Sequence, residues 1–207
     1  MTIAVLDKTQ VSNGAAEAIS ITAPYRFAAT VSGDAPLLFH SWNIEAIQGK
    51  ANAKKGSAEK KTDNVESYCY RTDAGHLGIP GANFQASLRE AGRFVPDPRS
   101  PRKSSMDLIR AGIVPLDIVA PFHGEKTTWD YEDRRRVTVM RAGVTRTRPA
   151  MNVGWEITFN MLVTTPEYLS PELVRQIIGQ AGRTVGLCDF RPTYGRFSVT
   201  RFVLLGD

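Results

Sequence analysis

The sequence predicts an α+β fold in which one antiparallel sheet carries two helices on one face, with core element order βαββαβ. Three observations predict it. Two long segments near the C-terminal end, 155–163 and 196–205, alternate apolar and polar side chains as half-buried strands do. Between them, 170–182 carries the start signal, apolar stripe and stop signal of an amphipathic helix. Two further stretches lack the apolar side chains needed to cover a core and read as insertions into the domain.

Taken in order, the first strand is expected over Ala18 to Val31, where Ile19, Ile21, Ala23, Tyr25 and Phe27 fall on alternate positions. Gly33-Asp34-Ala35-Pro36 is turn chemistry, followed by the apolar Leu37-Leu38-Phe39. Residues 46–66 are Lys, Ala, Gly, Ser and Asn with hardly a large apolar side chain, so an exposed loop is expected there. Order resumes at Tyr68-Cys69-Tyr70-Arg71. A helix is predicted from about Asn83 to Phe94, with Asn83 as its cap and Phe84, Leu88 and Ala91 on one face. Phe94 to Met106, rich in Pro, Arg and Ser, reads as a second loop, and a short strand is expected near Ile113 to Ala120. Val137, Val139 and Val144 mark a long hairpin turning at Ala142-Gly143, whose second arm leads into the strand Trp155 to Val163. In the last helix Ser170 caps, Pro171 takes the first position, Leu173, Val174, Ile177 and Ile178 form the stripe, and Gly182 ends it. The final strand runs from Arg196 to Leu205. Removing the insertions at about 43–67 and about 121–154 leaves the ferredoxin-like, or RRM-like, arrangement as a single domain over 1–207.

Composition narrows the function classes. With 42% hydrophobic and 23% charged residues the chain is globular, and no run approaches about 18 consecutive apolar residues, so no membrane helix and no membrane partner is expected. The start Met1-Thr2-Ile3-Ala4-Val5-Leu6-Asp7 has neither the basic region nor the apolar length of a signal peptide. Two cysteines, Cys69 and Cys188, make neither a disulfide framework nor a four-thiolate zinc site, which points to a reducing cytoplasm. The net charge of +5 matters less than its distribution. Six arginines and no acid lie between Arg134 and Arg148: Arg134, Arg135, Arg136, Arg141, Arg146 and Arg148. Lys50, Lys54, Lys55, Lys60 and Lys61 form a second cluster, and Arg89, Arg93, Arg99, Arg102 and Lys103 a third. Clusters of this kind fit a polyanion, although solvated faces would look the same.

Signals of catalysis are sparse. His40, His76 and His123 have no ligand spacing with a cysteine or carboxylate, so no metal is expected. Gly182-Arg183-Thr184-Val185-Gly186 follows a helix and precedes a strand, the reverse of a phosphate loop, which needs a helix N-terminus after it. No dinucleotide fingerprint or nucleophile elbow is present, and no cofactor is expected. Cys188 has no evident activating base. What remains is the Gly-rich connection 182–197. There Arg183, Arg191 and Arg196 can bind phosphates and Phe190 and Tyr194 can stack on bases, or the aromatics can pack at the sheet edge.

Three motifs stand in order along the chain. They are Ala35-Pro36-Leu37-Leu38-Phe39, then Gly78-Ile79-Pro80-Gly81-Ala82-Asn83-Phe84 through Ser87-Leu88-Arg89, and a Gly-rich loop closing on Thr193-Tyr194-Gly195-Arg196-Phe197. In these the sequence resembles the RAMP superfamily of CRISPR systems, whose members include the backbone subunits that coat guide RNA. The chain is shorter than such subunits, and its Gly-rich loop carries acids and aromatics, as a distant relative borne by a phage or mobile element would. The resemblance implies a non-catalytic protein. Copies would stack side by side as an oligomer or filament along single-stranded RNA or DNA, with the helix after Ile79-Pro80-Gly81 and the arginine hairpin holding phosphates. It also implies an alternative, a ribonuclease using Asp63 with a divalent metal or His40 without one. A third reading, a protein–protein assembly module with an acidic partner, is open on charge alone.

Overall fold

A computed structural model describes residues 23–41, 48, 52, 64–139 and 142–206. In chain order its elements begin with β1 (Tyr25–Gly33), β2 (Leu37–Leu38), β3 (Gly78–Pro80), α1 (Gly81–Ala91), β4 (Pro96–Asp97) and β5 (Ser100–Ser104). They continue with α2 (Met106–Gly112), β6 (Ile113–Pro115), β7 (Val119–Pro121), β8 (Tyr131–Val139), β9 (Ala142–Met151), β10 (Glu156–Val163), α3 (Pro171–Thr184) and β11 (Phe197–Leu205).

Alternation builds the central sheet. Tyr25, Phe27, Ala29 and Val31 on β1 are buried, as are Ile157, Phe159, Met161 and Val163 on β10, because period-2 side chains fall on one face. The sheet is antiparallel throughout, in the order β11-β1-β10-β6, with Phe27 opposite both Met161 and Leu204. Helices α1 and α3 cover its apolar face. Phe84 of α1 lies flat on Phe159, ring centroids 4.2 Å apart, and Val174, Ile177 and Ile178 of α3 are fully buried. The fold is thus the ferredoxin-like α+β arrangement. A second, three-stranded sheet, β2-β9-β8, stands beside it and contains the hairpin. No helix among the described residues is long and apolar enough to cross a membrane.

Four local expectations are corrected. Helix α1 begins at Gly81 after Pro80, and Asn83 lies inside it, its amide oxygen accepting from the Cys188 backbone N–H at 3.1 Å. Helix α3 runs through Gly182 to Thr184, where a Cβ on Gly182 would sit 2.0 Å from the Phe197 carbonyl oxygen, so this glycine marks close helix–strand approach and not a stop. The loop expected over 94–106 contains the β4–β5 pair, fastened by the buried Ser105 hydroxyl donating to the Val95 carbonyl at 2.8 Å, and α2 follows. The strand expected over Ile113 to Ala120 divides between two sheets. Leu116 N–H still donates to the Asn160 carbonyl of β10 at 2.9 Å, the Asp117 carboxylate then accepts from the Asn160 backbone N–H at 2.8 Å, and beyond it β7 pairs with β3 instead.

Candidate nucleic-acid interface

The Gly-rich connection packs along α1 at Asn83 and Ser87 and is held along its length. Asn83 receives the Cys188 N–H, Ser87 donates its hydroxyl to the Gly186 carbonyl at 2.8 Å, and Asp189 N–H donates to Leu38 at 3.0 Å. Leu187 N–H donates to Gly195 at 2.9 Å, and Gly195 N–H to Pro36 at 2.8 Å. Glycine is required at 195, since φ is +71° and a Cβ would lie 2.0 Å from the Leu187 oxygen. Phe190 has no such freedom yet is held at φ +55°, a conformation bulky residues avoid.

Between this connection and the C-terminal half of α1 lies an open groove of about 730 Å³. Arg89, Arg93, Phe94, Phe190 and Arg191 line it, so two segments 100 positions apart supply cations and aromatic rings to one surface. Glu90 engages both Arg89 on α1, through Nη2 at 3.1 Å, and Arg93 in the turn that follows it, through Nη2 at 2.8 Å. The buried Nε of Arg89 has no hydrogen-bond partner. Phe94 is 62% exposed, an unusual setting for a large ring. Three arginines, against Glu90 and an Asp189 already paired with Arg148, leave the groove positive.

The hairpin meets the other side of the same connection. Its register sets Asp133 opposite Arg148, Arg134 opposite Thr147, Arg135 opposite Arg146 and Arg136 opposite Thr145. Alternation then places Asp133, Arg135, Arg146 and Arg148 on one face, and exposed Arg134 and Arg136 on the other. Arg135 is engaged by three residues. Its guanidinium pairs with the Asp133 carboxylate, donates to the Tyr194 hydroxyl, and lies 4.8 Å from the ring centroids of both Phe190 and Tyr194. Arg148 corrects the expectation that the hairpin's arginines all hold phosphates. It is 1% exposed, its Nε donates to Asp189 at 2.8 Å, and it covers the Tyr68 ring at 4.8 Å. The expected turn also moves, because Ala142 and Gly143 are paired with Val139 and Thr138 inside the strands.

The remaining candidates are scattered. Arg183 lies on α3 against a smaller groove of about 410 Å³ with Glu172, Arg175 and Phe202, away from Phe190 and Arg191. Exposed Arg196 donates to the Pro192 carbonyl at 2.8 Å. Arg99 pairs with Asp97 at 2.8 Å, which holds that carboxyl below its ordinary range. Lys50, Lys54, Lys55, Lys60, Lys61, Asp63 and Arg141 lie outside the described residues. His40 is half-buried, its ring 5.6 Å from Tyr68, and burial followed by the Arg148 charge lowers its pKa. Burial raises both the Cys69 and the Cys188 thiol to about 12, which removes thiolate character at neutral pH. Among the described residues no group of three or more His, Cys, Asp and Glu side chains is placed to hold a metal ion. Sequence reasoning missed Phe94 as a groove residue, and also Asp133, Asp189 and Tyr68, which engage arginines. Of these only Asp133 left a local signal, two positions from Arg135 on one strand face.

Fold and site together define a ferredoxin-like α+β protein with a basic, aromatic-lined groove beside an arginine-rich hairpin. Among solved structures the chain is similar to the crystal structure of Cmr6 from Pyrococcus furiosus, at TM-score 0.46 and 9% identity, covering 86% of this chain and 100% of that one. No family model matches the chain, and no curated protein matches it.

Proposed function

We propose that the protein binds single-stranded nucleic acid without cleaving it and with little regard to sequence, as a distant RAMP-like protein whose copies lie side by side along the strand. The observation that carries this reading is the groove, where Arg89, Arg93 and Arg191 converge with Phe94 and Phe190. Phosphates want cations, unstacked bases want ring faces, and a single strand presents both at once. Arg134 and Arg136, exposed on the hairpin, extend the positive surface beyond the groove.

Fluorescence anisotropy with labelled single-stranded RNA and DNA at several salt concentrations tests it. Five phosphate contacts, one for each of these arginines, give a slope of log affinity on log salt of about −3.5, or about a hundredfold weakening from about 50 to about 200 mM salt. Absence of binding at about 50 mM salt would overturn the reading. Labelled RNA should be recovered intact with and without magnesium. Cleavage would favour the ribonuclease alternative.

A further inference from the structure

Phe190 and Tyr194 are the rings best placed for a base in the Gly-rich connection, yet both are already occupied. The Arg135 guanidinium lies 4.8 Å from each centroid, and Asp133 and the Tyr194 hydroxyl hold it there. The two rings are 6.4 Å apart and steeply inclined at 66°, so they form a corner with the cation set against both. A planar, delocalised cation on aromatic faces occupies the same kind of position a nucleobase would take. Phe190 also lines the groove, so a base set against its ring would belong to a strand bound there.

We infer that Phe190 and Tyr194 form a nucleobase site in which Arg135 is the resident placeholder, displaced when a base of the bound strand enters. The inference rests on the binding reading above and adds to it a specific occupant and an exchange. Asp133 is the other half of the device. It sits two residues away on the same strand face and retains the guanidinium after release, so the exchange moves one side chain and exposes no unpaired charge. The site then differs from a simple cation patch in one respect: Arg135 opposes entry of a base while its charge still favours the phosphates.

The test is the double variant Asp133→Asn/Arg135→Gln, which removes one charge of each sign, leaves net charge unchanged and orphans no carboxylate. Affinities of wild type and variant are measured by anisotropy for a labelled oligothymidylate and for an abasic strand of the same length. Circular dichroism and thermal melting establish that the variant is folded. A freed ring pair should tighten binding to oligothymidylate about fivefold or more, the low end of one base–aromatic stack, and leave the abasic strand unchanged. A further Tyr194→Leu change should abolish the gain. Equal or weaker binding of oligothymidylate by the folded variant overturns the inference while the binding reading stands. An equal gain on both strands overturns it too, because phosphates alone would then account for the change. Should the variant unfold, Arg135→Lys, which keeps the charge and loses the flat fork, provides the same comparison. If neither protein binds either strand, the binding reading and this inference fall together.

Discussion

Replacing Arg148 by Ala is the sharpest test of how the hairpin is joined to the rest of the protein. The side chain is 1% exposed, packed on Tyr68, and bonded through Nε to an Asp189 carboxylate that is itself only 26% exposed. Removal leaves a half-buried carboxylate without its cation and a space the size of a guanidinium. Breaking a buried ion pair costs about 3–5 kcal/mol, and the partial exposure of Asp189 places the expected loss at the lower end, about 3 kcal/mol. For a chain of this size that is about 6–12 °C in Tm. Thermal melting followed by circular dichroism, together with urea unfolding, measures it. The double change Arg148→Met/Asp189→Asn should recover about half of the loss, since it removes the orphaned charge and refills the volume. A loss within about 0.5 kcal/mol for Arg148→Ala would refute the reasoning, because that is what a solvated arginine gives.

Three further outcomes are expected. His40 is pushed below its ordinary value of 6.5 by burial and by Arg148 and Arg146, against Asp189, so the unfolded chain takes up its proton first as pH falls. Its contribution to stability is therefore full above that value and lost below it, and His40→Gln should flatten the fall in Tm between about pH 7.5 and about pH 5.5. A variant that melts with the wild-type pH profile would contradict this. With both thiols raised to about 12, Cys69 and Cys188 should resist iodoacetamide at about pH 8 in the native protein and react fully once it is denatured. Rapid native labelling at either position, located by mass spectrometry, would be the contrary result. Arg134→Ala/Arg136→Ala should reduce the magnitude of the salt slope by about 1.4 and weaken binding alike across sequences, with stability within about 0.5 kcal/mol. An unchanged slope would remove the hairpin's outer face from the interface.

The elements legible in the sequence are those whose burial repeats with a simple period. β1 and β10 alternate, and α3 has Ser170 accepting from the Leu173 N–H at 3.3 Å with Pro171 behind it. β11 falls out of step where its pairing with β1 shifts at Thr30 and Val31, so that Phe202 and Val203 are both buried. What escaped depends on partners far along the chain. Asn83 has the chemistry of a cap, but its amide oxygen is taken by Cys188, 105 positions away. Period 2 places Arg146 and Arg148 on one face of the hairpin. It says nothing of which face is covered, and the covering group, Asp189, lies 41 positions on. α2 has only seven residues beside a stretch rich in Pro, Arg and Ser, too short for its apolar pair Leu108 and Ile109 to declare a helix. The groove combined two clusters that were legible separately, the cations of α1 and the aromatics of the Gly-rich connection. Their adjacency came from the packing of α3 and β11 against α1.

The strand order has a consequence for how the chain can be made. β1 is an interior strand of the central sheet, and both of its neighbours, β10 and β11, come from the last third of the sequence. A growing chain therefore holds Phe27, Ala29 and Val31 without partners while every intervening segment is synthesised, and the sheet closes only when the final strand emerges. Pairing of such sequence-distant strands is slow, and exposed strand edges recruit other chains in the meantime. The protein should consequently depend on holdase chaperones during translation far more than its size suggests. A ribosome stalled just before β11 should present β1 to them with one edge still open.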